Sequence, residues 1–350
     1  VITEDNVRTQ YNRYPYPSFS WLAKITAEKA CHASFEAGAS LVHSKLQSHE
    51  NKKIALLGCG TFEPYVQGIL HSQTHVDAVD ISPNSLNLAK RRCLIRRIKN
   101  VNFVESDITS FCQKNPNAYD FISCYGVLHH LPRPEEGFKA LSQALTPDGF
   151  ARIMVYSASQ RRRPKLIRQA LSSLGVTSES FLATVKIKSL LRCLPLSHPL
   201  KLSQFSNAEL KTRSGVIDSL LHACETDFNI KSLLEITRTA GLTIHAWDFS
   251  ENLLKLLSDA PGRTPEEQIH FLESFDQWPG PFVFWASKTP KKEESGELLY
   301  RTNPHLKKTL PKKLSKKEME TLKIAMNSPL LFEDGFLSLI RKRYLLQVSP

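Results

Sequence analysis

An α/β fold built on a doubly wound, mostly parallel sheet is predicted by three observations. Short apolar strands alternate with helical stretches between residues 53 and 156, a glycine-cornered turn follows the first strand, and carboxylates end the next two. Strand, helix and turn in that repeated order are what a parallel sheet requires.

The first strand is Lys53-Ile54-Ala55-Leu56-Leu57, running into Gly58-Cys59-Gly60-Thr61. Gly-x-Gly after a strand lets the backbone approach a ligand with no Cβ in the way. A second strand ends at Asp80, about twenty residues on, where a carboxylate accepts both hydroxyls of a ribose. Asp77, earlier in that strand, reads as a solvated residue, and Cys59 as a small buried filler. Val101 to Ile108 reads as a third strand ending in Asp107, an acceptor for an adenine amino group. Tyr119 to Tyr125 is a buried strand that enters the loop Gly126-Val127-Leu128-His129-His130-Leu131. Phe138 to Leu145 has helical periodicity, stopped by Thr146-Pro147-Asp148-Gly149 before the strand Ala151 to Tyr156.

Strand, glycine turn and distant acid together make a nucleotide-cofactor site. A dinucleotide fingerprint needs a third small residue beside the pyrophosphate, and this chain has Glu63 there. A carboxylate repels a pyrophosphate, whereas S-adenosylmethionine (SAM) carries a sulfonium and an ammonium and no phosphate. Charge therefore favours SAM over NAD.

With LLGCGT, VDAVDIS, VESDI, YGVLHHL and LTPDGF in this order, residues 51–156 resemble the core of a class I SAM-dependent methyltransferase. The resemblance implies a Rossmann-like, mostly parallel seven-stranded sheet with an inserted helical cap and a small C-terminal appendage. It places Gly58, Cys59, Gly60 and Thr61 along the methionine and ribose of SAM, Asp80 on the ribose and Ile81 on the adenine. Asp107 and Ile108 would bracket the adenine, and Tyr125 would begin the loop under the methionyl group. The family usually has an acid where this chain has Leu56 and a third glycine where it has Phe62, so Glu63 or a backbone carbonyl is left for the SAM ammonium.

The segment Gln10-Tyr11-Asn12-Arg13-Tyr14-Pro15-Tyr16-Pro17 is similar to the QY-x-x-x-PYP opening of a group of bacterial class I methyltransferases. In that group it forms an aromatic cover near the cofactor, which would put Tyr11 and Tyr16 there. Two prolines hold the backbone extended, as a lid or as an arm packed on the core. The FLESFDQW and FVFWASK runs resemble the end of the same group. So does D-x-x-x-H before the last helix, here Asp218 and His222 followed by Asp227 and Phe228. A carboxylate and an imidazole four apart share one helix face, so Asp218 could make a base of His222, or the two could be a surface pair. His129 and His130 are further candidate bases, with a shape-giving loop as the alternative.

The chain divides into an N-terminal arm and cofactor lid (1–50), a SAM-binding core (51–156), a helical substrate cap (157–229), the end of the core (230–288), a basic linker (289–317) and a small C-terminal module (318–350). Lys doublets and little apolar surface make the linker unable to fold alone. The module reads as helices at Met319–Met326 and Phe336–Ile340 and a strand at Tyr344–Val348. Seven cysteines without C-x-x-C pairs, and no signal peptide or long apolar run, lead to an expectation of a cytoplasmic protein with no disulfide and no metal. The net charge of +12 would attract nucleic acid or acidic partners. Arg91 to Lys99 reads as a solvated helix face, and Arg161 to Arg163 as the better site for an anion.

The function expected is methyl transfer from SAM to a small organic acceptor, leaving S-adenosylhomocysteine, since YGVLHHL stands where amino-directed nucleic-acid enzymes carry an acid or Asn before Pro-Pro. The alternatives are a protein or RNA acceptor docked through the basic surface, and a catalytically silent SAM-binding protein.

Overall fold

In the computed structural model, residues 4–44, 47–177, 183–193, 195, 212–290, 299–306, 314–327, 330–331, 339 and 344–348 are described. Seven strands form one sheet: β1 (Lys53–Leu57), β2 (His75–Asp80), β3 (Val101–Glu105), β4 (Tyr119–Tyr125), β5 (Leu145–Val155), β6 (Thr243–Trp247) and β7 (Phe282–Ser287). Their order is β3-β2-β1-β4-β5-β7-β6. The first five are parallel, and β7 runs antiparallel between β5 and β6. The chain reverses its winding between β1 and β4, so the carboxyl ends of these two strands open the crevice where such sheets take ligands.

Alternate residues of the strands face two cores. Ile54, Leu56, Val76, Ala78, Phe121 and Trp285 pack under α3 (Phe35–His43), while Ala55, Leu57, Val79, Ile122 and Ile153 face the other helical layer. That layer includes α6 (Ile108–Lys114), α7 (Pro134–Ala144) and α11 (Ile230–Thr239). Burial on both faces is why the strands read as continuous apolar runs. Local chemistry sets the helix starts. Ser82 caps α5 (Pro83–Ile95) by accepting the Ser85 N–H, and Asp107 caps α6 in the same way through Ser110. The expected Thr146-Pro147-Asp148-Gly149 turn is present as a break inside β5, where pairing with β4 jumps from Tyr119↔Leu145 to Phe121↔Phe150.

Beyond β5 come α8 (Ala158–Ser173), α9 (Ala183–Cys193) and α10 (Arg213–Leu220). Within the Arg161 cluster, Arg161 itself is not open to an anion. Arg161 donates to both carboxylate oxygens of Glu225 at 2.7 and 2.5 Å, Arg168 adds a third bond at 3.0 Å, and Arg162 pairs with Asp276. Nor is the Arg91 to Lys99 stretch simply a solvated face, because Arg92 is buried and donates to the Phe19 and Ser20 carbonyls at 2.9 Å. Asp77 is likewise engaged, accepting from the Tyr119 hydroxyl at 2.9 Å and the Asn102 amide at 2.8 Å.

A second, antiparallel sheet of order β10-β8-β9 joins β8 (Leu299–Thr302), β9 (Leu330–Leu331) and β10 (Leu345–Val348), with α14 (Lys316–Asn327) beside it. β8 falls within the stretch read as a linker: its pairing with β10 supplies the order that composition alone does not show. The expected helix Phe336–Ile340 lies, apart from Leu339, outside the described residues. Leu306, Leu322 and Leu345 of this module pack on Cys31, and Ser40 of α3 donates to the Gln347 carbonyl at 3.0 Å. Among the described residues, no helix is long and apolar enough to cross a membrane.

Candidate functional site

A cavity of about 1000 Å³ opens at the carboxyl ends of β1, β2 and β4. Gly58, Cys59, Gly60, Glu63, Asp80, Ile81, Asp107, Ile108 and Tyr125 line it, and so do Tyr11 and Tyr16 from the arm. The turn after β1 needs its glycines. Gly58 and Gly60 have φ of +67° and +54°, and a Cβ on Gly60 would stand 2.6 Å from the Tyr16 carbonyl oxygen. Thr61 does not line the cavity: its N–H donates to the Tyr16 carbonyl at 3.2 Å and its hydroxyl to the Pro17 carbonyl. The turn is thus stitched to the arm that crosses it.

Asp80 holds the turn from the other side. Its Oδ2 accepts the Gly60 N–H at 2.8 Å and its Oδ1 the Ser82 N–H at 2.9 Å. Each oxygen of a carboxylate has two lone pairs, so two backbone bonds leave acceptor capacity for a diol. Burial pushes its pKa up to about 6. Glu63 accepts from the Ser123 hydroxyl, and burial raises its pKa to about 7. Cys59 is buried, which pushes its thiol well above the ordinary value and leaves it a poor nucleophile.

The arm is held at many points. Tyr11, in α1 (Glu4–Arg13), donates to Asp218 Oδ1 at 2.8 Å, Gln10 accepts the Ala223 N–H at 2.8 Å, and Asn12 accepts from the Ser82 hydroxyl at 2.8 Å. The arm therefore bridges the cap and the start of α5.

His222 is not on the face of a helix with Asp218, because α10 ends at Leu220. Nor does it line the cavity, whereas Asp218 does. Its Nδ1 accepts the Cys224 N–H at 3.0 Å, so the single proton of the neutral ring sits on Nε2 and is donated to the Tyr11 hydroxyl at 3.0 Å. The chain of donation runs His222 to Tyr11 to Asp218, and it holds the imidazole as a donor. Burial against His130, 3.6 Å away ring to ring, lowers its pKa well below the usual value. His129 is fully buried behind the cavity, its ring centre 3.9 Å from that of Tyr156 and tilted to it by 35°, with both ring nitrogens lacking a hydrogen-bond partner. His130 does line the cavity, with Nδ1–H donated to the Cys224 carbonyl at 2.8 Å and a pKa near 4 caused by burial.

Sequence reasoning missed the far end. Arg152 donates twice to Asp248 Oδ2, at 3.2 and 2.8 Å, and lies 4.7 Å from the Tyr125 ring centre. His32 Nδ1 is 2.7 Å from the other Asp248 oxygen, and all four residues line the cavity. A lone arginine in the apolar strand Ala151-Arg152-Ile153-Met154 was the available signal.

Comparison with known proteins bears on the same region. Residues 57–151 match the family model described as a methyltransferase domain. An uncharacterized protein of Synechococcus sp. is 28% identical over 192 residues, covering 53% of this chain and 46% of that protein. A ubiquinone biosynthesis O-methyltransferase of Yersinia enterocolitica is 28% identical over 99 residues, covering 28% of this chain and 40% of that protein. The chain thus matches less than half the length of these curated relatives. Among solved structures, PKMT2 from Rickettsia typhi aligns at a TM-score of 0.63 and 14% identity, covering 95% of this chain and 77% of that one. The same protein in complex with AdoHcy aligns at 0.60 and 15% identity, covering 96% and 77%. The architecture is the Rossmann-like fold of class I SAM-dependent methyltransferases.

Proposed function

We propose that this chain transfers a methyl group from SAM to a small organic acceptor. The observation that carries the reading is one continuous cavity, lined by the glycine turn and Asp80 on one side and by Tyr125, Arg152, Tyr156, Asp218 and Asp248 on the other. At about 1000 Å³ it lies at the upper end of ligand pockets, roughly 300–1000 Å³, which suits a cofactor with a modest acceptor beside it.

The residues present fit the cofactor. Asp80 has acceptor capacity for the ribose hydroxyls, Ile81 and Ile108 offer apolar faces for the adenine, and Asp107 stands at the edge for its amino group. Glu63, whose carboxyl is balanced between its two protonation states near pH 7, takes the ammonium. SAM supplies a methyl made electrophilic by the sulfonium, so no enzyme nucleophile is needed. The chain's own work is to align the acceptor and exclude water, the latter through Tyr11, Tyr16 and Pro17. The acceptor's proton leaves to His130 Nε2, the nitrogen not spent on Cys224, or to solvent. His130 is a weak base, which suits an acceptor whose proton is already labile.

A macromolecular acceptor is less favoured because Arg92, Arg161 and Arg168 are spent on internal partners. Calorimetric titration with SAM and S-adenosylhomocysteine, alongside Asp80→Asn, tests the cofactor: binding weakened about 10–100-fold in the variant is expected from lost charged hydrogen bonds. No binding by the native chain overturns the reading. Methyl-labelled SAM offered with fractionated cell extract then tests the acceptor. Label in small molecules supports the proposal, label in protein or RNA transfers it to a macromolecule, and none in any pool leaves a silent SAM binder.

A further inference from the structure

At the N-terminal end of α3, four residues from four separate stretches of chain converge. Glu36 lies in the first turn of α3, His49 in the connection to β1, His71 at the end of α4 (Glu63–Leu70) and His305 in the C-terminal module. Each offers one donor atom, and the four atoms all lie within 4.8 Å of one another. None of them lines the cofactor cavity.

We propose that Glu36, His49, His71 and His305 form a structural zinc(II) site that fastens the C-terminal module to the core.

The carboxylate of Glu36 is shared between two imidazoles, Oε1 with His49 Nδ1 and Oε2 with His305 Nε2, each at 2.6 Å. The third imidazole completes the group edge-on, with the His71 ring centre 5.0 Å from that of His49 and 5.8 Å from that of His305. His71 is fully buried and its Nδ1 has no hydrogen-bond partner. A buried polar nitrogen left unpaired is costly, and here it belongs to a ring that touches two other rings around one carboxylate. Three neutral nitrogens and one carboxylate are a donor set that zinc takes tetrahedrally, at about 2.0–2.2 Å. With four protein ligands the coordination is closed, as in structural rather than catalytic sites.

Hydrogen bonds to the main chain hold in place two of the segments that carry the ligands. The His49 carbonyl accepts from the Thr74 hydroxyl at 2.6 Å, and the His71 carbonyl from Asn100 at 2.8 Å. His71 Nε2 accepts the Phe35 N–H at 3.1 Å, so its proton resides on Nδ1 while no ion is bound. Ligation at Nδ1 moves that proton to Nε2 and gives up one backbone hydrogen bond for a coordinate bond. His49 and His305 ligate as neutral rings through the nitrogens that now face Glu36, with their protons moving to the other nitrogen. The second histidine and aspartate group, His130, Asp218 and His222, is a poorer candidate, since His222 and His130 already commit ring nitrogens to Cys224 and Asp218 binds Tyr11.

The full chain without a histidine tag, dialysed against a chelator, is titrated with zinc(II) against a chromophoric competitor and with cobalt(II) read by visible absorption. One equivalent bound with sub-micromolar affinity and cobalt bands of tetrahedral strength are expected. His305→Gln and Glu36→Gln should each weaken zinc at least 100-fold. The chelator should lower the melting temperature of the native chain but not that of His305→Gln, a comparison that stands even if Glu36→Gln fails to fold. SAM affinity is the control that the core is intact. Absence of stoichiometric binding by the folded chain, or equal affinity in His305→Gln, would overturn the proposal.

Discussion

Glu63 sits where a dinucleotide-binding turn would place a small residue, and its protonation should couple cofactor binding to pH. A carboxyl raised from 4.5 to about 7 holds its proton in the folded state while the unfolded chain has lost it. Folding stability from this group is full below pH 4.5 and is lost as pH rises to about 7. Glu63→Gln should therefore stabilise the cofactor-free protein at pH 8, by about 1–2 kcal/mol once partial exposure is allowed for. An ammonium beside Glu63 favours the ionised form, so native SAM affinity should rise with pH between about 6 and 8. In Glu63→Gln that slope should vanish, leaving only the part below about pH 6 that belongs to Asp80. Calorimetric affinities from pH 5.5 to 8.5 check this; an unchanged slope removes Glu63 from the ammonium site. The places of Asp80 and Asp107 at the cavity were legible because each follows a strand-forming run. His222 was not, because the place where α10 stops decides its neighbours, and Tyr11 comes from two hundred residues away.

At the scale of elements, the arm supplies one wall of the cavity. Its proline and tyrosine content was readable, but what pins it was not: Arg92 in α5 holds the Phe19 and Ser20 carbonyls, and Arg96 holds the Trp21 carbonyl at 3.1 Å. These are contacts between residues some seventy apart, and in sequence the arginines look like an ordinary charged face. Arg92 also lies 5.1 Å from the Trp21 ring centre and 5.0 Å from that of Phe62. Arg92→Met keeps the stem and removes the hydrogen bonds. If the arm is a lid, SAM should dissociate about tenfold faster from this variant, with a smaller change in association, because lid contacts are made after entry. Stopped-flow displacement of bound SAM gives both rates. Equal dissociation rates in variant and native chain would make the arm a static support. The same lesson applies to β8, whose order comes from β10, about forty-five residues further along the chain, and not from its own composition.

Over the whole molecule, the excess of basic residues invites a reading as a docking surface, and the structure redirects part of it inward. The strands β1, β2, β4 and β5 and their alternation with helices were legible because these strands are buried on two faces. The destination of the charges was not, because pairing depends on tertiary contacts. Glu225 has a fully buried side chain and receives Arg161 and Arg168, which also donate to the Ser219 and Leu220 carbonyls at the end of α10. This network joins α8 to α10 and so holds Asp218 and Tyr156 at the cavity. Removing one partner of a buried pair leaves a desolvated charge behind, which costs far more than the pair itself contributes. Glu225→Gln should lower unfolding free energy by about 3–5 kcal/mol in urea titrations, with SAM binding weakened in parallel as the cap loosens. Arg161→Met combined with Glu225→Leu should recover much of that loss, since the fully buried charges are both gone and Arg168, whose side chain is 29% exposed, keeps access to water. A loss below about 1 kcal/mol in Glu225→Gln would instead describe a solvated surface pair, and would return these arginines to the face available for an anionic partner.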